Sequence, residues 1–166
     1  MNELIKRKPC RLKGYDYSLS GAYFVTICVK DRKHLLGKIN VGEGLAPPEN
    51  RLTVYGNIAK EQIELLESRY SAIKIDRYVV MPNHIHLLIS IDAIAAGASP
   101  CPTISDVVCV FKSITTRLCK KIGFKEKNLF QSSFHDHIVR GEEDYIKIAE
   151  YIEQNVLCWE KDCFYE

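Results

Sequence analysis

His84-Ile85-His86 is the triplet in this chain whose residue types and spacing could do chemistry. On an extended strand side chains alternate between faces. Ile85, Leu87, Ile89 and Ile91 then share one apolar face, and the two imidazoles project together from the other. Imidazoles at i and i+2 can reach a common cation. Two such ligands, completed by oxygen donors and water, suit a divalent ion that keeps positions open for a substrate. A structural zinc would want four protein ligands, usually with cysteine, and no Cys lies near His84 in sequence. A pair of hydrogen-bonded histidines without metal would give the same pattern. A second triplet, His135-Asp136-His137, has the same spacing. Its central residue is charged, so its opposite face is less clearly buried, and it ranks below the first.

Tyr151 is the second group of interest. At 3.6 residues per turn, Tyr145, Ile148, Ala149, Ile152 and Val156 fall on one stripe of a helix and read as core. Tyr151 lies off that stripe, on a face with Asp144, Lys147 and, one turn later, Asn155. A tyrosine so placed can present its hydroxyl to a site. It can equally be an amphipathic residue at the edge of the core.

These groups need elements to hold them. Residues 21–29 are rich in β-branched and aromatic types and read as a strand. The stretch 40–51, with Gly42, Gly44, Pro47 and Pro48, reads as a loop. An amphipathic pattern over 56–69 predicts a helix. Strands at 72–80 and 84–91, interrupted by Met81-Pro82-Asn83, predict a hairpin. A loop at 92–102 leads to a helix over 103–121, with Thr103 or Ser105 as N-cap. A short strand at 136–140 and a helix over 142–156 complete the chain. The order β-α-β-β-α-β-α predicts an α+β fold, a ferredoxin-like antiparallel sheet with packed helices, as one domain spanning residues 1–166.

Composition bounds the class. A chain of 166 residues with 46% hydrophobic and 27% charged residues is long enough and apolar enough to bury a core, which excludes a disordered chain. No apolar run reaches the ~20 residues of a membrane span, and the basic stretch 1–13 is not followed by a signal-peptide core. A cytoplasmic protein without a membrane partner is expected. The seven cysteines are odd in number and lack Cys-x-x-Cys spacing, so reduced and mostly buried thiols are expected, with a surface thiol at Cys101 or Cys163.

The formal charge of +2 conceals an asymmetry. Residues 1–40 carry nine Lys or Arg against three Asp or Glu, 103–127 carry six against two, and 141–166 carry two against eight. Basic blocks of this kind suit a polyanion. Arg7, Arg11 and Lys13, interleaved with Tyr15 and Tyr17, combine charge with stacking surface for single-stranded nucleic acid. Lys112, Arg117 and Lys120 recur along one helix and could track a phosphate backbone. A solvated helix face would look the same.

Taken together the motifs resemble the REP-associated tyrosine transposases, relatives of the single-strand insertion-sequence transposases in the HUH endonuclease superfamily. The resemblance runs through Arg11-Leu-Lys-Gly-Tyr-Asp-Tyr-Ser18, Gly21-Ala-Tyr-Phe-Val-Thr-Ile-Cys28 and Val80-Met-Pro-Asn-His-Ile-His-Leu-Leu88. It continues through Phe111-Lys112-Ser113, Phe130-Gln131, Phe134-His-Asp-His-Ile-Val-Arg140, Asp144-Tyr145, Tyr151-Ile152, Asn155, Trp159 and Asp162. It implies the HUH endonuclease fold, with His84 and His86 as metal ligands and Tyr151 as nucleophile. Asn155 stands where a polar side chain completes the metal site. It further implies a divalent ion, Mg²⁺ or Mn²⁺, and a single-stranded DNA hairpin as substrate, cleaved and rejoined through a 5′-phosphotyrosine. The state is monomer or homodimer. Phenol has a pKa of ~10, so Tyr151 needs help losing its proton, from the metal's field or from a neighbouring base, for which His137 and Gln154 are candidates. Three positions depart from the family pattern. Val156 replaces the usual Pro, so the last helix is expected to run further. Phe130 replaces a Trp, and His135 an aromatic residue. A replication-type nickase of the same superfamily, or a DNA-binding relative that has lost cleavage, are the alternatives.

Overall fold

A computed structural model of the chain describes residues 19–40, 47–95 and 101–165. Arg7, Arg11, Lys13, Tyr15 and Tyr17 lie outside the described residues.

Four strands form the main sheet: β1 (Gly21–Cys28), β4 (Ile73–Val80), β5 (His84–Ile91) and β6 (His135–Ile138). Their spatial order is β4-β5-β1-β6, with every neighbouring pair antiparallel. Helices α1 (Val54–Glu64) and α2 (Leu66–Arg69) connect β1 to β4, and α3 (Ile104–Lys121) connects β5 to β6. This is the ferredoxin-like α+β arrangement. Helix α4 (Glu142–Gln154) follows β6.

Two expectations are corrected. The helix expected from residue 56 starts at Val54, where Thr53 Oγ1 accepts the Gly56 amide, and it breaks at Leu65. Part of the stretch read as loop is a small two-stranded sheet, β2 (Gly37–Asn40) with β3 (Glu49–Leu52). Strands of four polar-rich residues carry too short an alternation to stand out from their glycines and prolines.

The register divides the sheet into two faces. Tyr23, Val25 and Ile27 of β1 stand opposite Ile89, Leu87 and Ile85 of β5. All six are at most 1% exposed and form one core with Ala59, Ile63, Leu66, Val107, Val108 and Phe111 of the crossover helices. On the other face Phe24, Thr26 and Cys28 stand opposite Leu88, His86 and His84. Helix α4 lies over that face, against β4 and β5.

Local chemistry fixes the ends of α3. Thr103 Oγ1 accepts the Asp106 amide while the Asp106 carboxylate accepts the Thr103 amide, a reciprocal capping box. At the other end Gly123 adopts φ 105°, Gly123 N–H donates to Lys120 O and Phe124 N–H to Cys119 O. These are the two bonds of a Schellman motif, which needs a left-handed residue where Gly123 stands.

The expected burial of the cysteines is met at only some positions. All six described thiols are free, but Cys109, Cys158 and Cys163 are exposed and only Cys28 and Cys119 are buried. Cys109 falls on the polar side of α3, away from the stripe that packs. No described helix is long and apolar enough to cross a membrane.

Candidate active site

His84 opens β5 immediately after the Met81-Pro82-Asn83 turn. That turn is tied down on both sides: Val29 N–H donates to Asn83 O, Leu36 N–H to Pro82 O, and Met81 N–H to His84 O. The strand therefore starts at a fixed place. His84 and His86 project side by side, ring centroids 4.4 Å apart, and both are at most 1% exposed.

Each imidazole is oriented through Nδ1. The Asn83 amide donates from Nδ2 to the Phe164 carbonyl, so its Oδ1 is the acceptor for His84 Nδ1–H at 2.8 Å. That fixes the tautomer and leaves the Nε2 lone pair of His84 facing the site. His86 Nδ1 is bonded to Thr26 Oγ1 at 2.8 Å, its direct neighbour in the register. Partners of this kind are what aim metal-binding histidines. Burial keeps both rings neutral: it lowers the pKa of His84 to about 4, against the opposing pull of Asp162 and with help from Arg32. Burial and then the charge of His84 lower His86 well below the usual value. Neutral imidazoles are the form that binds metal.

Helix α4 brings Tyr151 over His86. The hydroxyl lies 3.3 Å from His86 Nε2 and 3.2 Å from Asp162 Oδ2. Its ring stands edge-on to Phe24, and the residue is 41% exposed, so the oxygen is both positioned and reachable. Ile152 is buried beneath the helix, and Tyr145, Ile148, Ala149 and Val156 are half-buried, the stripe expected.

Asn155 is 2% exposed and donates from Nδ2 to Asp162 Oδ2 at 2.8 Å. The expectation that Val156 would prolong the helix is corrected: α4 ends at Gln154, Asn155 is its C-cap, and the chain tightens through Asn155 N–H to Ile152 O into turns and a 3-10 segment at Trp159–Lys161. Asn155 itself keeps helical angles, φ −58° and ψ −39°, and the regular helix ends there without a proline.

Asp162 is the participant to which the sequence assigned no role. It sits in irregular chain, where no periodicity marks a facing side. Its side chain is 1% exposed, 3.9 Å from His84 Nε2, and accepts from Tyr151, Asn155 and the Phe164 amide. His137, expected as a base, is bonded to Asp144 Oδ2 at 2.8 Å instead. The second triplet is thus outside this cluster, and His135 is exposed.

The donor set fits a divalent cation. Nitrogen and oxygen atoms of His84, His86 and Asp162 lie within 4.8 Å of one another. His84 Nε2 and Asn155 Oδ1 are buried with no hydrogen-bond partner, and buried polar atoms are rarely left so. Two imidazoles, a carboxylate and an amide oxygen can hold such an ion. Without it, Tyr151 is a poor nucleophile, because burial, followed by the charge of Asp162, raises its pKa to about 12.

Of the basic residues expected to meet DNA, Arg117 and Lys120 are exposed on α3. Lys112 is half-buried and donates to the carbonyls of Ser132 and Ser133 at 2.9 and 3.4 Å. It ties α3 to the segment before β6.

Comparison with known proteins agrees with this geometry. The family described as "Transposase IS200 like" matches residues 20–155. An uncharacterized protein of Haemophilus influenzae is 32% identical over 174 aligned positions, covering 96% of this chain and 93% of that protein. A solved structure of a REP-associated tyrosine transposase bound to a REP hairpin superposes with a TM-score of 0.61 at 20% identity. The match covers 87% of this chain and 72% of that one.

Proposed function

Because this chain belongs to the IS200-like transposase family, we propose that it binds single-stranded DNA hairpins and cleaves and rejoins them through Tyr151. The observation that carries this reading is the tyrosine hydroxyl held 3.3 Å from one of two neutral, buried imidazoles, beside two further buried oxygen donors. His84, His86, Asn155 and Asp162 would hold Mg²⁺ or Mn²⁺. A bound dication supplies the positive charge that lowers the pKa of the phenol and offsets charge on the scissile phosphate.

Tyr151 Oη attacks phosphorus and the bond from phosphorus to the 3′ oxygen breaks. The products are a 5′-phosphotyrosine and a strand ending in a 3′ hydroxyl. Asp162 Oδ2, already accepting from the phenol, is the group placed to take its proton, and the departing 3′ oxygen takes one up. The covalent bond conserves the phosphodiester, so a second 3′ hydroxyl can reverse the step on another strand without ATP. His84 and His86 stay neutral and fixed by Asn83 and Thr26. Arg117 and Lys120 would meet backbone phosphates, as would Arg7, Arg11 and Lys13, with Tyr15 and Tyr17 stacking on bases. The protein would act as a monomer or a homodimer.

The test is covalent capture. A labelled single-stranded hairpin incubated with the protein and Mg²⁺ or Mn²⁺ gives an SDS-resistant adduct, and Tyr151→Phe gives none while binding the hairpin normally. An adduct that survives Tyr151→Phe removes this nucleophile. Hairpin binding without an adduct under either metal replaces this reading with that of a DNA-binding relative that no longer cuts.

A further inference from the structure

Strand β4 pairs with β5 in regular alternation up to Ile75, and the register then shifts between Ile75 and Arg77. Asp76 is the extra residue of a β-bulge. On a regular strand consecutive side chains face opposite sides, so β4 could offer α4 only every second residue. A bulge sets two residues against one on the partner strand and re-aims them. Here both neighbours reach the side that α4 covers. Ser90 Oγ, on the same face of β5 as His84 and His86, donates to Asp76 Oδ2. Arg77 Nε donates to Glu153 Oε1 on α4 at 2.8 Å.

The two contacts are unequal. The Arg77–Glu153 pair is exposed on both sides and contributes little. The Asp76 side chain is 6% exposed. A carboxylate so buried needs partners. It has Ser90, the Lys74 ammonium at 3.5 Å, and the hydroxyl of Tyr145 on α4. Burial, then the charge of Asp76 and the hydrogen bond to it, raise the Tyr145 pKa and keep the phenol in its donating form.

This bond supplies what the rest of the α4 contact lacks. Ile152 attaches the helix by buried apolar area, and that attraction is non-directional. It leaves α4 free to slide or roll by small amounts over the sheet. A hydrogen bond weakens steeply with distance and angle, so it fixes both. Tyr151 lies six residues after Tyr145, about 9 Å along the same helix. A small roll of α4 at Tyr145 therefore carries the Tyr151 hydroxyl away from His86 and Asp162.

We propose that Asp76 is a positioning residue for Tyr151: through Tyr145 it sets where α4 sits on the sheet, and so where the Tyr151 hydroxyl stands beside the two imidazoles. Its own partners lie outside the metal site. The inference rests on the reading that Tyr151 is the nucleophile, and names what holds that nucleophile in place.

Single-turnover adduct formation by the full chain, at saturating labelled hairpin and Mn²⁺, tests it. Tyr145→Phe removes one hydroxyl and keeps the ring. It is expected to slow adduct formation about tenfold or more, since misplacing a reacting group by about 1 Å can cost about 10²-fold. Asp76→Ala slows it as well. The double variant is no slower than the slower single variant, because Asp76 acts on α4 through that one contact. The affinities for the hairpin and for Mn²⁺ stay those of the parent in all three. Parental rates in Tyr145→Phe and Asp76→Ala overturn the inference, and so do additive losses in the double variant. A fall in hairpin or Mn²⁺ affinity that accounts for the slower rate also overturns it, since the pair then serves the fold and not the pose of the tyrosine. A parent that forms no adduct, or an adduct that survives Tyr151→Phe, removes the functional reading and this inference with it.

Discussion

Two residues outside the expected set bond to His86 and Tyr151. Thr26 Oγ1 holds His86 Nδ1, and Thr26→Val removes that bond while preserving shape. Loss of such a partner typically costs 10–100-fold in metal affinity, so Mn²⁺ affinity measured by calorimetry falls by about that factor while far-UV circular dichroism stays unchanged. Asp162 acts on the phenol directly. Its carboxylate, second only to burial, raises the Tyr151 pKa to about 12. Asp162→Asn removes the negative charge, so in the metal-free protein the Tyr151 phenol titrates at lower pH than in the parent, read as a tyrosinate difference spectrum. An unchanged spectrum means that Asp162 is not beside the hydroxyl. Asn155 keeps its place in either case, because its buried side chain can bond an amide as well as a carboxylate.

At the scale of elements, α4 is lightly held. Ile152 is its one buried residue, with an exposed ion pair from Arg77 to Glu153 and an exposed hydrogen bond between His137 and Asp144 beside it; contacts this exposed contribute little. Ile152→Ala removes the anchor, a change of the class that costs about 2–5 kcal/mol in a packed core, toward the lower end at this sheet-helix boundary. Hydrogen exchange is expected to rise across 142–154 before it rises in β1 or β5, and adduct formation falls with it. Exchange that rises uniformly would mean that the helix unfolds only with the sheet. Helix α3 is the opposite case, capped at both ends by its own residues. Thr103→Ala removes the capping box and lowers stability by about 1 kcal/mol, read as a shift in the urea midpoint. The N-cap of α3, the β5 alternation and the α4 stripe were legible because each is a local pattern. Strands β2 and β3 were not, because four-residue strands rich in polar residues look like the loop around them.

For the whole molecule, burial of two imidazoles couples folding to pH. Both rings have folded-state pKa values below the 6.5 of an unfolded histidine, with His84 near 4. Between those limits the unfolded chain binds more protons than the folded one, so stability falls as pH drops. The metal-free protein is expected to keep its full urea midpoint above about pH 6.5 and to lose stability progressively toward pH 4. A midpoint flat from pH 7 to 5 would mean that the rings are not buried as neutral groups.

By itself the sequence determined the β5 strand with its two imidazoles on one face, the separation of Tyr151 from the core stripe, and the α+β order of elements. All of these follow from periodicities of 2 and 3.6 that residues carry locally. Only the tertiary structure decided that Thr26, Asn83 and Asp162 are the partners of those groups. Thr26 lies 60 residues from His86, and Asp162 lies 11 from Tyr151 along irregular chain. No local period relates such pairs. The sheet register brings the first together, and the turn after α4 brings the second. The place of Asn155 was likewise beyond local rules, since its buried side chain bonds to Asp162, seven residues on in irregular chain.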